Sequence, residues 1–413
     1  MAVAEAVRPR RLARLRAGSA LLGPAFVASI AYVDPGNVAS NISAGARFGY
    51  LLVWVIVVAN LMAVLVQYLS AKLGLVTGRT LPEALRERLP RSARLAYWAQ
   101  AEVVAVATDL AEVVGGAIAL NLLFDLPLVV GGLITGVVSL ALLAVQDRGG
   151  QRTFERVVTG LLAVIAIGFL ASLFVEPPSA SGVASGLLPR FEGSGSVLIA
   201  AAMLGATVMP HAVYLHSGLV RDRHGAAGPE QRHRLLRATR VDVGLAMLLA
   251  GAVNLGMLLL AATNLQGRTG VDTIEGAHGA VATALGPGIA LLFAIGLLAS
   301  GLASTSVGAY AGAMIMQGLL HKRIPLVLRR LVTLTPAIVV LALGADPSTA
   351  LVVSQVVLSF GIPFALVPLI RLTADRDLMG IDANRRSTTI AASLIAVVII
   401  ALNLVLIYLT ITG

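Results

Sequence analysis

Two short stretches set groups that can face a cation beside residues that cannot stay helical. The first is Asp34-Pro35-Gly36-Asn37, inside an apolar run from about Leu21 to Phe48. The second is Gly205-Ala206-Thr207-Val208-Met209-Pro210-His211, inside a run from about Val197 to Val220. Proline lacks an amide donor and collides with the carbonyl four residues back, and glycine weakens a helix further, so each run is expected to split into two half-helices. In hydrocarbon the freed backbone groups need a partner or a water-lined cavity. A carboxylate at the same depth demands a function by default, and the break plus the charge at Asp34 read as a cation site. Interrupted spans in corresponding positions of two chain halves point to a midplane binding site.

The rest of the chain has the composition needed to hold such breaks in a bilayer. Of 413 residues, 57% are hydrophobic and 13% charged, with a mean hydropathy of +0.89, which excludes an ordinary soluble globule. Apolar windows of about 20 residues place eleven spans, beginning near Leu21, Leu51, Leu95, Leu128, Val157, Val197, Val241, Ile289, Leu331, Ala350 and Thr389. Of the 31 Lys and Arg residues, only Arg47, Arg190 and Arg268 fall on the side away from the N-terminus. That bias predicts a cytoplasmic N-terminus and an external C-terminus, and it accounts for the net charge of +10 without nucleic acid. The basic start, Arg8 to Arg16, reads as a topology anchor rather than a cleaved signal, because the apolar run continues through the first break. The chain has no cysteine, so disulfides and thiolate sites are excluded and the redox compartment is left open.

The expected third span, Leu95 to Leu123, carries Glu102, Asp109 and Glu112 at offsets that share one helix face. Three carboxylates on one stripe cannot face lipid; they need the protein interior, a basic partner or a water path. Arg329-Arg330, just inside span nine, serve either as positive-inside anchors or as partners for those carboxylates. Asp242 lies near the cytoplasmic end of span seven, Gly361-Ile362-Pro363 weakens span ten, and span eleven has no counterpart in a five-plus-five arrangement. Short helices are expected at Leu81 to Leu89 inside and Ile274 to Leu285 outside, with Glu176 to Ser196 as the joint between halves.

Asp34-Pro35-Gly36-Asn37, Met209-Pro210-His211 and eleven spans together resemble the Nramp (natural resistance-associated macrophage protein) divalent metal transporters, over nearly the whole chain. The resemblance implies an all-α membrane protein of LeuT-type fold, in which two inverted five-helix repeats with broken helices 1 and 6 are followed by an eleventh helix. It implies a basic tail over 1–17, repeats over 18–180 and 196–372, and the last helix over 385–413. It also implies a cell (inner) membrane importer of Mn²⁺, Fe²⁺ and similar ions coupled to protons, with no permanently bound cofactor; oligomeric state is left open. By similarity, Asp34, Asn37, the Met209 thioether and the Ala206 carbonyl are ligands, joined in some states by Ala31 and Gln355. His211, His216, Glu102, Asp109, Glu112, Asp242, Arg329 and Arg330 correspond to proton-pathway or gating positions.

The donor set is chemically coherent. Oxygens alone suit Ca²⁺ and Mg²⁺ as well as Mn²⁺, whereas a polarizable sulfur favours softer transition ions. Met209 has a packing alternative, Asn37 a capping one, and His211 and His216 either titrate or pack. Rival functions are an amino-acid or organic cation symporter of the same architecture, which would not call for Asp34 at the break, and a divalent cation channel. An enzyme is not expected, since six histidines include no H-E-x-x-H motif.

Overall fold

The computed structural model describes residues 23–225, 228–271, 273–322 and 324–412, so the tail expected over 1–17 lies outside the described residues. These form an all-α chain: α1 (Pro24–Ser29) runs into a 3-10 turn, Ile30–Tyr32, and then α2 (Pro35–Phe48). Next come α3 (Val53–Thr77), α4 (Leu81–Arg88), α5 (Arg91–Phe124), α6 (Leu128–Gly149), α7 (Gln151–Leu170), α8 (Ser172–Val175) and α9 (Ala180–Gly186). The second half holds α10 (Gly193–Thr207), α11 (Pro210–His224), α12 (Pro229–Asn264), α13 (Ile274–Leu285), α14 (Pro287–Leu320), α15 (Leu326–Ala342) and α16 (Pro347–Ala374). A short α17 (Arg376–Met379) and the long α18 (Arg386–Thr412) close the chain.

Among the described residues, eight stretches are long and apolar enough to cross a bilayer. The other three expected spans are the broken pair α1 and α2, α6 with its apolar part Leu128–Ala144, and α15 with 17 residues. The chain is therefore a multi-pass membrane protein. Interior positions are filled by small and aliphatic side chains, as an α-helical bundle in lipid requires. Gly115 of α5 is one such position: a Cβ there would overlap the ring of Pro35, so its absence lets the first break lie against α5.

Both interrupted runs break where proline requires. In the first, helix stops at Tyr32 and restarts at Pro35, with Asp34 as the N-cap. In the second, helix stops at Thr207 and restarts at Pro210, with Met209 as the N-cap. The backbone groups set free are taken up by side chains far away in sequence. Asn254 of α12 donates to the Tyr32 carbonyl at 2.8 Å, and Ser300 of α14 donates to the Val33 carbonyl at 2.5 Å.

The weakening expected at Gly361-Ile362-Pro363 in span ten does not become a break. Although Pro363 and Pro368 both lie inside α16, the helix is continuous from Pro347 to Ala374. The two carbonyls that lose their amide partners are those four residues earlier, Ser359 and Phe364. Asn403 of α18 donates to the first at 3.4 Å; Tyr214 of α11 donates to the second at 3.1 Å, and Tyr97 of α5 donates to it as well. With those carbonyls satisfied, the prolines need not break the helix. The Asn403 bond also gives α18 a polar reason to pack on α16, as it does.

Candidate metal site at the two helix breaks

Each break ends in the same local device: a ligand-type side chain at the N-cap, then proline at the first helical position. Proline suits that position because its missing amide would be unpaired there anyway. The Asp34 carboxylate accepts from the Asn37 amide at 2.8 Å and from Asn37 Nδ2 at 2.5 Å, both through Oδ1. Its Oδ2 is buried without a hydrogen-bond partner. Asn37 Nδ2 also donates to the Ala206 carbonyl at 3.2 Å, so one carboxamide spans the two breaks. Ala206 and Ala31 lie four residues before Pro210 and Pro35, and each carbonyl therefore lacks the amide that would normally donate to it. Asp34 and Asn37 are each 1% exposed, and Ala31 and Met209 are fully buried.

Gln355 of α16 completes the set from a third element. Both polar atoms of its side chain are buried and unpartnered. A Cβ on Gly36 would collide with the Gln355 amide and would stand 3.3 Å from Asp34 Oδ2, so the free carboxylate oxygen and the free carboxamide face one small space. No group of three or more His, Asp or Glu side chains able to hold a metal occurs among the described residues. The breaks and α16 thus bring together one carboxylate, two carboxamides and the Ala206 carbonyl, and Met209, the N-cap of the second break, would add a thioether. This mixture of hard oxygen and soft sulfur fits a first-row divalent ion held loosely enough to leave.

The stripe on α5 continues from this point. Glu112 is fully buried with neither carboxylate oxygen hydrogen-bonded, and the space above Gly308 of α14 is filled by its carboxylate. One turn earlier Asp109 pairs with Arg330 at 2.5 Å, with both side chains nearly inaccessible. Two turns earlier still, Glu102 pairs with Arg329 at 2.9 Å. Of the two roles open to the arginines, pairing with the α5 carboxylates is the one the structure displays. Arg329 also lines a cavity of about 560 Å³ together with Glu83, Arg221, Asp222 and Tyr310.

Of the remaining predicted residues, His211 lies at a break, whereas His216 and Asp242 do not. His211 follows Pro210 directly, and both ring nitrogens are buried and unpartnered. His216 lies further along α11, with Nδ1 2.8 Å from Gln67 Oε1. Asp242 sits at the foot of α1, where its two oxygens accept from the Gly23 and Ala25 amides at 3.0 Å each and cap the first half-helix. Nearby, Glu155 pairs with Arg223 at 2.9 Å.

Sequence reasoning passed over the residues that hold the first break in place. Gln67 Nε2 donates to Tyr32 Oη at 2.7 Å, linking the 3-10 turn through α3 to His216. Asn254, which holds the Tyr32 carbonyl, accepts from Asn41 Nδ2 at 2.9 Å. The available signal was an uncharged polar side chain inside an apolar span, at Gln67, Asn254 and Ser300.

A helical membrane protein with two proline-broken spans meeting at one carboxylate has the architecture of a secondary transporter. The chain belongs to the Nramp family: residues 25–409 match its model, described as natural resistance-associated macrophage protein-like, and the family comprises metal-ion transporters, not enzymes. The divalent metal cation transporter MntH of Mycobacterium tuberculosis is 68% identical over 394 residues, which cover 95% of this chain and 92% of that protein. MntH of Bacillus subtilis is 48% identical over 389 residues, covering 94% and 91%. Among solved structures, the Eremococcus coleocola manganese transporter superposes with a TM-score of 0.87 at 32% identity, covering 95% of this chain and 86% of that one. Mhp1, a nucleobase-cation-symport-1 family transporter, superposes at 0.61 with 15% identity over 94% of this chain and 89% of its own, a likeness of fold alone. The fold is of the LeuT type.

Proposed function

We propose that this chain, with no permanently bound cofactor, imports divalent transition metal ions, Mn²⁺ first and Fe²⁺ next, across the cell membrane together with protons. The observation that carries the reading is the Asn37 to Ala206 bond, which draws the Asp34 carboxylate and the break bearing Met209 around one buried space. The relatives' names, divalent metal cation transporter and manganese transporter, support the substrate class. Proton coupling is supported by the run of ionisable groups from Asp34 and Glu112 through the Asp109–Arg330 and Glu102–Arg329 pairs to the cavity that Arg329 lines. A doubly charged ion beside a carboxylate disfavours a proton on that carboxylate, so loading Asp34 with metal would expel its proton towards that run. Positive-inside bias supports a cytoplasmic N-terminus and an external C-terminus, with halves over 18–180 and 196–372 and an added helix over 385–413.

The deciding experiment is Mn²⁺ uptake into proteoliposomes with internal pH recorded at the same time. Saturable uptake with acidification of the lumen is expected, and Asp34→Ala abolishes both. Mn²⁺ uptake with a flat pH trace would remove the coupling, and an Asp34→Ala variant that still transports would remove the site.

A further inference from the structure

Against the C-terminal half of α16 lies a groove of about 440 Å³ between α4, α5 and α16. Its wall is apolar, formed by Leu85, Leu89, Tyr97, Pro363, Phe364 and Val367, and Phe364 is 41% exposed. At one end stand Arg88, from the last turn of α4, and Arg371, from the last turn of α16; among the described residues no acidic side chain lines the groove. Arg88 shares part of its guanidinium with Asp375 while its side chain remains 47% accessible. Arg371 is exposed and has no carboxylate partner among the described residues. The Phe364 carbonyl beside the groove is already taken by Tyr97 and Tyr214, so the wall presents no unpaired acceptor to a hydrocarbon chain.

Dimensions and charge select the occupant. From Pro363 to Leu372 the groove follows nine residue steps of helix, roughly 14 Å at 1.5 Å per step. That is about half of the ~30 Å hydrocarbon core, the depth of one leaflet. In the orientation proposed above, on which this inference rests, the arginines sit at the end where α4 and α16 reach the cytoplasmic boundary, where an anionic headgroup gains from each nearby cation. A guanidinium also grips a phosphate through parallel N–H donors, which a zwitterionic headgroup's own ammonium would oppose.

We propose that this groove is a binding site for one anionic phospholipid of the inner leaflet, its acyl chain along Tyr97, Phe364 and Val367 and its phosphate between Arg88 and Arg371. The site joins α4 and α5 to α16, the helix that carries Gln355, so an occupant bridges elements that flank the breaks. It does not depend on which ion is carried.

The test uses the full chain in proteoliposomes with a tryptophan placed in the groove. The chain has two tryptophans, Trp54 and Trp98; both are replaced by phenylalanine and Phe364→Trp supplies the reporter. Phosphatidylglycerol or phosphatidylcholine with brominated chains is then added to unbrominated phosphatidylcholine at increasing fractions. Brominated phosphatidylglycerol is expected to quench the reporter with an apparent affinity at least fivefold above brominated phosphatidylcholine. Arg371→Gln alone, and Arg88→Gln with Arg371→Gln, are expected to bring the ratio towards one. A control reporter, Leu248→Trp on the lipid-exposed face of α12, is expected to show no headgroup preference. Equal quenching by the two lipids at the groove, the same preference at the control, or a preference surviving the double arginine variant would each overturn the proposal.

Discussion

Asn37 and Ala206, 169 residues apart, are joined by a 3.2 Å hydrogen bond from the carboxamide of one helix break to the carbonyl that proline frees in the other. The same nitrogen donates to Asp34 Oδ1 at 2.5 Å. A single side chain thus fixes where the carboxylate stands relative to the second break. It leaves Asp34 Oδ2 uncommitted, which is the oxygen an ion would reach first.

Removing that bridge is expected to weaken transport more than folding. A hydrogen bond to a charged group contributes about 1.5–3 kcal/mol, and about 1.4 kcal/mol is tenfold in affinity. Asn37→Ala should therefore lower apparent Mn²⁺ affinity by roughly tenfold or more on those figures. Asn37→Asp should do at least as badly, because it removes the donor and sets a second carboxylate against Asp34. Concentration-dependent Mn²⁺ uptake measures both, and near-native affinity in Asn37→Ala would show that the bridge is incidental.

Met209 should govern which ions compete rather than whether Mn²⁺ passes. Ca²⁺ and Mg²⁺ gain little from exchanging a water for sulfur, while transition ions gain more. Met209→Ala is expected to keep Mn²⁺ uptake within a fewfold of the parent and to let Ca²⁺ or Mg²⁺ inhibit it. An unchanged Ca²⁺ competition curve would return Met209, fully buried as it is, to a packing role.

The Asp109–Arg330 pair is buried on both sides. Deleting one partner of such a pair leaves an uncompensated charge and costs about 3–5 kcal/mol, whereas replacing both by apolar groups is often neutral. Arg330→Met should lower the melting temperature in detergent far more than Asp109→Leu with Arg330→Met together. The double variant should fold yet fail to acidify the lumen if the pair conducts protons. A double variant that couples normally would assign the pair to structure alone.

Outside the spans, Glu83 gives a pH signature. Burial raises its carboxyl, but the Thr80 amide and the Arg221 guanidinium outweigh that and hold it below the usual glutamate range. A group with a depressed folded pKa contributes stability above its unfolded value, near 4.3, and loses it as pH falls through the folded value. The parent should therefore lose thermal stability more steeply below about pH 4.3 than Glu83→Gln does, while Glu83→Gln should be less stable at pH 7. Parallel melting curves from pH 7 to pH 3 would contradict this.

The sequence made the breaks legible because proline, glycine and a carboxylate within four residues have few other readings inside an apolar run. The carboxylate stripe on α5 was legible from helical spacing, and its pairing with Arg329 and Arg330 was one of two outcomes that spacing allowed. Whether the weakening at Gly361-Ile362-Pro363 would become a break was not legible, because that depends on which side chain donates to the freed carbonyl. Here the donors are Asn403, 44 residues on, and Tyr97 and Tyr214, 267 and 150 residues away. The placement of Asp242 was hidden for the same reason, since its partners are the amides of Gly23 and Ala25 at the other end of the chain.

That account of span ten can be tested directly through Asn403 and Pro363. If Asn403 contributes by satisfying the Ser359 carbonyl, then Asn403→Leu should cost about 1 kcal/mol, the net value of a typical buried hydrogen bond. In a Pro363→Ala background, residue 363 regains an amide that can return to the Ser359 carbonyl within the helix, and Asn403 loses its role. The cost of Asn403→Leu should then fall close to zero or reverse, since a buried carboxamide without its acceptor is itself unfavourable. A double-mutant cycle on unfolding in mixed detergent, built from the four proteins, reads the difference as a coupling energy. Equal costs in the two backgrounds would mean that α18 packs against α16 for reasons of shape alone.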